Sequence, residues 1–157
     1  RAGIDLETVA ITGTKEVLGV HDICVKADRS FEEINCDDAD MLVLPGGKPG
    51  FMNLGAYEPL MEQIDYFASK GKYIAAICAA PLVFGDLGIL EGRKATIYPG
   101  MEEELKGAES LDFPVVRDMN IITSQGPATA MKFAIALVSY FKGKEVADEL
   151  EEDLLMI

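Results

Sequence analysis

Short apolar segments that end at a tight turn and lead into a helix constrain the fold of this chain more than any other feature. Met41–Leu44 is apolar throughout and runs into a Pro-Gly-Gly loop, as is typical of a parallel strand that is buried on both faces. Tyr73–Ile77 predicts a second buried strand, followed by a sharp turn and by a helix that starts at Pro81. Such alternation predicts an α/β domain with a mostly parallel sheet, whose sites lie at the carboxyl ends of the strands.

The rest of the chain continues this alternation of strands and helices. Further extended segments are predicted at Leu6 to Thr12, Glu16 to Lys26, Lys94 to Tyr98 and Pro114 to Thr123. Further helices are predicted after a capping box at Ser30 and Glu33, from Glu58 to Lys70 with Gly71 as its cap, from Pro127 to Tyr140, and from Lys144 to Met156. The packing faces of the last two helices are assigned to Phe133, Ala134, Leu137 and Phe141, and to Val146, Leu150, Leu154 and Leu155.

Length and charge narrow the classes of partner. The chain has 157 residues, which fits a single domain spanning residues 1–157, and its net charge of -13 disfavours nucleic-acid and membrane-surface partners. Its longest apolar stretches fall short of the roughly 18 residues that a transmembrane helix needs. Three cysteines at wide spacing indicate neither a disulfide framework nor a zinc site, so we expect a reducing cytoplasm.

Cys78 is the first candidate for chemistry. It directly follows a buried strand, precedes a helix N-terminus and has small residues on both sides, which is the layout of a nucleophile elbow. A helix N-terminus carries about half a positive charge and would stabilise a thiolate. The alternative interpretation is a cysteine that is simply buried in the core.

Two loops are expected to meet Cys78 if the strands are parallel neighbours. Gly46 and Gly47 end the first strand and could form an oxyanion hole with the Ala79 amide, although by themselves they indicate an ordinary turn after a strand. The segment from Ser124 to Pro127 ends a third strand and either lines the same pocket or caps the following helix.

The only histidine, His21, lies far from Cys78 in the sequence, and the residue after Cys78 is alanine. No Cys-His-acid triad can be assembled locally, which argues against a Cys-His protease. The acidic clusters at 102–104 and 149–153 lack metal-ligand spacing and are interpreted as solvated helix faces. Neither a metal nor a cofactor is predicted.

Three ordered motifs resemble those of the ThiJ/PfpI superfamily, in the branch of the Parkinson-disease protein deglycase. They are Leu44–Gly47, Ala75–Pro81 and Ile122–Thr129, and the resemblance covers essentially the whole chain. It implies a flavodoxin-like three-layer sandwich with a mostly parallel sheet, a homodimer and no cofactor.

The resemblance also implies an activity. Members of that branch act on glyoxal or methylglyoxal without glutathione, or as deglycases, so Cys78 would attack the aldehyde carbon to give a hemithioacetal. The backbone amides of Gly47 and Ala79, beside Gly46, would hold the oxyanion. The alternative is a non-enzymatic oxidative-stress sensor and chaperone whose Cys78 is oxidised to sulfinic acid. Possible further pocket residues are Arg1, His21, Lys48, Ser124 and Pro127.

This chain departs from the superfamily in one respect. Superfamily members begin with a central strand and a helix whose glutamate acts as general acid and base, whereas this chain opens at the end of that helix. We therefore expect this strand and helix to be missing from this chain and to exist upstream in the native molecule or as a separate bound segment. A third hypothesis, an inactive fragment, follows from the same departure.

Overall fold

The structure, a computed structural model, describes residues 1–156. Its strands are β1 (Val9–Ala10), β2 (Glu16–Leu18), β3 (Cys24–Lys26), β4 (Arg29–Ser30), β5 (Met41–Leu44), β6 (Tyr73–Ile77), β7 (Lys94–Ala95), β8 (Glu109–Ser110), β9 (Val115–Asp118) and β10 (Ile121–Ser124). Its α-helices are α1 (Gly50–Gly55), α2 (Glu58–Ser69), α3 (Pro81–Asp86), α4 (Ala130–Lys142) and α5 (Lys144–Asp153). Short 3-10 turns lie at Phe31–Glu33, Cys36–Asp38, Glu102–Glu104 and Pro127–Thr129.

A four-stranded sheet with the order β5-β6-β10-β9 forms the centre of the fold. The strands β5, β6 and β10 are parallel, and β9 joins the edge as an antiparallel strand. Three two-stranded pairs surround this sheet: β1 with β4, β2 with β3, and β7 with β8. The predicted α/β class with a mostly parallel sheet is therefore confirmed.

The two faces of the sheet pack against different helices because successive residues of a strand point to opposite sides. Ile74 of β6 belongs to the larger core cluster, together with Phe67 of α2 and Phe84 of α3. Its neighbour Ala75 packs with Phe133 of α4 on the other face. Helices thus cover both sides of the central sheet.

Several predicted strands are shorter than expected, or form hairpins where a single strand was expected. The segment from Pro114 to Thr123 is a hairpin of β9 and β10, because the chain reverses at Met119 with a φ of +52°. The segment from Glu16 to Lys26 is likewise a hairpin. Of the strand predicted from Leu6 to Thr12 only Val9–Ala10 is paired, and of the strand predicted from Lys94 to Tyr98 only Lys94–Ala95 is paired.

The prediction that β5 is buried on both faces is wrong. Val43 is 40% exposed, whereas Leu44 is buried. Within residues 1–156, β5 pairs with β6 along one edge only. The apolar run identified the strand and both of its ends, but the cover over each face depends on neighbours that the run does not specify.

The helix predictions hold best where a single face is buried. The α2 helix ends one residue before the predicted Lys70 and buries Leu60, Ile64 and Phe67. The capping box is also confirmed, since the Ser30 N–H donates to Glu33 Oε2 at 2.9 Å.

The packing faces of α4 and α5 are partly wrong. On α4, Ala134 is exposed, while Ile135 and Val138 are buried with Ala147 of α5 because the two helices pack against each other. Leu155, which was assigned to the packing face of the last helix, lies after α5 ends at Asp153 and is 80% exposed. No helix in the described part of the chain is both long and apolar enough to cross a membrane.

Candidate active site

Cys78 lies at the carboxyl end of β6, in the turn that leads into α3. Its backbone has a φ of +66°, in the left-handed region where a residue with a side chain is strained by about 1–3 kcal/mol. Two hydrogen bonds hold this turn, because the Cys78 N–H donates to the Ser124 carbonyl at 2.9 Å and the Cys78 carbonyl accepts from the Tyr98 N–H at 3.0 Å. The sharp turn that the flanking small residues predicted is present, and its thiol is half-buried.

The loop after β5 packs directly against this turn. A Cβ placed on Gly46 would lie 2.4 Å from Cys78 Cβ, 2.8 Å from the Ile77 carbonyl oxygen and 3.2 Å from Cys78 Sγ. No side chain fits at position 46, so the glycine is required by close approach. The parallel register of β5 and β6, which pairs Leu44 with Ala76, brings the two loops to the same edge.

Two residues beside the thiol have backbone amides without a hydrogen-bond acceptor in the described part of the chain. Gly47 and Ala79 line the same cavity as Cys78. Neither the Gly47 nor the Ala79 amide donates a hydrogen bond to another atom within residues 1–156. Ala79 is buried and Gly47 is exposed. Because buried backbone donors are almost always paired, the free Ala79 amide in particular is available to an incoming oxygen.

The cavity beside Cys78 has a volume of about 700 Å³. Its apolar wall comes from α1, α3 and the segment after β7, and includes Phe51, Met52, Leu82, Val83 and Met101. The polar side chains that line it are Lys48, Asp86, Tyr98 and Glu104. This volume is within the range of about 300–1,000 Å³ that is usual for small-molecule sites.

Two carboxylates, those of Asp86 and Glu104, line the cavity. Asp86 is paired with Lys106 at 2.6 Å, and Glu104 is exposed at the end of a run of three glutamates. The backbone N–H groups of Glu102 and Gly100 lower the pKa of the Glu102 carboxyl, so this group is ionised at neutral pH.

The structure brings together only some of the predicted site residues. Lys48 lines the cavity, together with the glycines and Ala79 described above. Arg1 and His21 are exposed, and neither lines the cavity, since His21 lies in the turn of the β2–β3 hairpin.

Ser124 and Pro127 also lie outside the cavity lining. The Ser124 side chain is fully buried, where its hydroxyl donates to the Pro114 carbonyl at 2.7 Å and lies 2.7 Å from Thr129 Oγ1. Two roles were considered for the segment from Ser124 to Pro127, lining the pocket or capping the following helix. The structure shows the second. Ser124 contributes to the site through its carbonyl, which accepts the Cys78 N–H.

Sequence reasoning missed Tyr98. Its ring lies against Gly126, where a Cβ would be 3.2 Å from Tyr98 Cδ2, and the side chain is 46% exposed on the cavity wall. The only signal in the sequence was an aromatic residue followed by Pro-Gly at the end of a predicted strand. That pattern does not indicate which neighbouring loop the ring contacts.

Comparisons with known proteins agree with this fold. The profile described as "DJ-1/PfpI family" matches residues 1–140. The chain is 36% identical to "Protein dj-1beta" of Drosophila melanogaster, over 99% of this chain and 84% of that protein. It is 37% identical to a deglycase of Pyrococcus horikoshii, over 71% of this chain and 68% of that protein.

A plant relative is much longer. The chain is 38% identical to "Protein DJ-1 homolog B" of Arabidopsis thaliana over 99% of its own length, which is only 36% of that protein. Among solved structures, Drosophila melanogaster DJ-1beta superposes with a TM-score of 0.92 at 35% identity, covering 98% of this chain and 84% of that one. The oxidised DJ-1 of Toxoplasma gondii superposes with a TM-score of 0.92 at 31% identity, covering 98% of this chain and 84% of that one.

Proposed function

Because this chain belongs to the DJ-1/PfpI family, we propose that it is a cysteine-dependent enzyme that converts small reactive aldehydes such as glyoxal and methylglyoxal. The observation that carries this proposal is the strained turn that holds a half-buried Cys78 at the wall of a cavity. Strain at a cavity is typical of functional sites, because a turn that only connects two elements has no need of it. The relatives named as deglycases support enzymatic chemistry in this family.

The proposed reaction is balanced without a cofactor. The Cys78 thiolate adds to the aldehyde carbon of methylglyoxal and forms a hemithioacetal. Proton transfer through an enediol moves the hydrogen from that carbon to the neighbouring carbonyl carbon, which is reduced to an alcohol as the first carbon is oxidised to a thioester. Water then cleaves the thioester to the hydroxy acid and releases the thiol.

The Gly47 and Ala79 amides are the proposed oxyanion donors. The hemithioacetal oxygen carries negative charge while the C–S bond forms, and both amides line the cavity without an acceptor in the described chain. Gly46 contributes by having no side chain, which lets the loop after β5 approach Cys78. Donors that are already in place stabilise developing charge without reorganisation.

The acid and base for the proton transfer are proposed to come from a further segment beside β5. Within residues 1–156, β5 pairs on one side only and β1 pairs with β4 alone. Val43 is 40% exposed and Val9 is 37% exposed, so an added strand would cover apolar surface and satisfy backbone groups of β5. Its carboxyl end would reach the same edge as Cys78.

Intact mass of the native material under denaturing conditions tests this segment. A species heavier than 17.0 kDa, or a companion peptide, is the expected result. A single species at the mass of the 157-residue chain, with full activity, would contradict it.

The enzymatic proposal is tested with Cys78→Ser. Methylglyoxal consumption is expected to fall to the background rate, because a serine hydroxyl is a far weaker nucleophile than a thiolate. The matched control is Cys24→Ser, which changes an exposed thiol on β3 and should leave the rate unchanged. A Cys78→Ser protein that consumes methylglyoxal at the native rate would refute the proposal.

A second candidate function is an oxidation sensor and chaperone. It is supported by the partial exposure of Cys78 at the cavity, and one similar structure is that of an oxidised DJ-1. Peroxide would oxidise the thiolate to sulfenic acid and then to sulfinic acid, with two peroxide molecules reduced to water. Peptide mass mapping after peroxide treatment should find two added oxygen atoms on Cys78, and an unmodified Cys78 would exclude the sensor.

All three thiols are free, which supports the proposed location in the reducing cytoplasm.

We also propose a homodimer formed through the β2–β3 hairpin. Three hairpin side chains, Leu18, Val20 and Ile23, are each about two-thirds exposed at 67%, 69% and 66%. An apolar patch of this kind on a projecting hairpin is typical of an interaction surface. Ile23→Lys is expected to shift the protein from dimer to monomer in sedimentation velocity, and an unchanged sedimentation coefficient would contradict this interface.

A further inference from the structure

The cavity that residues 1–156 form beside Cys78 is far larger than a two- or three-carbon dicarbonyl requires. Its volume is about 700 Å³, and its apolar wall is formed by Phe51 and Met52 of α1, Leu82 of α3 and Met101. Met52 is 50% exposed, although its neighbour Phe51 is packed against the core. A methionine side chain adapts to ligands of irregular shape and is common at apolar binding surfaces. The wall therefore offers apolar area that a methyl group alone would not cover.

Charge at the same cavity disfavours anions. Lys48 is the one cation among its lining residues, which also include the carboxylates of Asp86 and Glu104. Glu104 is exposed and carries no salt bridge within residues 1–156, whereas Asp86 is bonded to Lys106. The chain as a whole has a net charge of -13, so an anionic substrate meets repulsion both on approach and at the cavity.

We propose that the apolar wall of this cavity is a subsite for an uncharged apolar group attached to the reacting aldehyde. The substrate class is then neutral 2-oxoaldehydes with an aryl or extended alkyl substituent, and anionic analogues of the same size are rejected. This inference rests on the proposed function, because it requires an aldehyde that reacts at Cys78.

Three substrates separate size from charge. Phenylglyoxal, methylglyoxal and 4-carboxyphenylglyoxal undergo the same internal redox reaction and differ only in the group that would occupy the subsite. Phenylglyoxal is expected to have a kcat/KM at least about tenfold above that of methylglyoxal, because the ring buries apolar area that the methyl group does not. Its carboxylated analogue is expected to react about threefold or more slowly than phenylglyoxal.

Two pairs of variants assign these effects to named residues. Met52→Gln should reduce the preference for phenylglyoxal several-fold, whereas Met131→Gln, at a methionine that is 49% exposed away from the cavity, should not. Glu104→Gln should raise kcat/KM for the carboxylated substrate about twofold to threefold. Glu103→Gln, which removes an adjacent charge that does not line the cavity, should have a smaller effect.

The outcomes separate the two proposals. If no 2-oxoaldehyde is consumed faster by the native protein than by Cys78→Ser, the proposed function fails and the subsite fails with it. If methylglyoxal is consumed at a kcat/KM equal to or above that of phenylglyoxal, the function stands and the subsite is refuted. An anionic substrate that reacts as fast as its neutral analogue refutes the charge selection.

Discussion

Replacing Gly46 by alanine should disable Cys78 without unfolding the protein. The added Cβ would lie 2.4 Å from Cys78 Cβ and 2.8 Å from the Ile77 carbonyl oxygen. Non-bonded carbon atoms rest about 3.5–4.0 Å apart, so the loop and the turn must separate by at least about 1 Å. A misplacement of about 1 Å at a reacting group costs on the order of 100-fold in rate.

The same clash sets the cost in stability. Inserting one methyl group into a packed site costs typically about 1–3 kcal/mol, and about 2–4 °C of melting temperature is lost for each kcal/mol in a domain of this size. Gly46→Ala should therefore melt about 2–12 °C below the native protein and remain folded at 25 °C.

Gly50→Ala is the matched control, because a Cβ at Gly50 has no atom within 4 Å. The assays are the rate of Cys78 alkylation by iodoacetamide, methylglyoxal consumption and thermal unfolding, applied to both variants. If Gly46→Ala keeps the alkylation and consumption rates of Gly50→Ala, the close packing of the two loops does not position Cys78 and the reasoning is refuted.

Three further predictions concern the scaffold. Thr123→Val should lower the free energy of unfolding, measured with denaturant, by about 1–3 kcal/mol, because the buried Thr96 N–H donates to Thr123 Oγ1 at 2.9 Å and would lose this acceptor. Thr123→Ser keeps the hydroxyl and should retain most of the native stability. Burial raises the pKa of the Cys36 thiol, so mass-mapped alkylation at pH 8 should label the exposed thiol on β3 long before Cys36, and equal rates would contradict this. Hydrogen bonds from the Thr8 hydroxyl and amide lower the pKa of Asp28, so its contribution to stability is complete above about pH 4 and is lost as the pH falls through the folded-state pKa. In urea unfolding, the stability difference between native protein and Asp28→Asn should shrink toward acid pH, and a difference that does not change with pH would contradict this.

Local patterns in the sequence predicted several elements closely. The β5 and β6 strands have the predicted bounds, and α2 carries its predicted buried face. These predictions succeed because an apolar run of four or five residues between turn signals, or apolar residues at helical spacing, has one low-energy local solution. The small flanking residues and Pro81 predicted the turn at Cys78, although the hydrogen bonds that hold it come from Ser124 and Tyr98, which are distant in sequence.

The failed predictions share one physical cause. The exposure of Val43, the exposed Ala134 on α4 and the hairpin reversal at Met119 all depend on which elements lie next to one another. Contacts between segments distant in sequence determine burial on a second face, and periodicity within one segment carries no information about them.

The sequence by itself determined the parallel α/β core, the position of Cys78 after a buried strand and the excess of negative charge. Those properties follow from local backbone preference and from composition. Only the tertiary structure decided that Gly46 lies against Cys78, that Ser124 is committed to a buried hydrogen-bond network, and that Tyr98 contributes to the cavity wall. Each of these depends on the register between strands, because register decides which side chains meet at the carboxyl edge of the sheet.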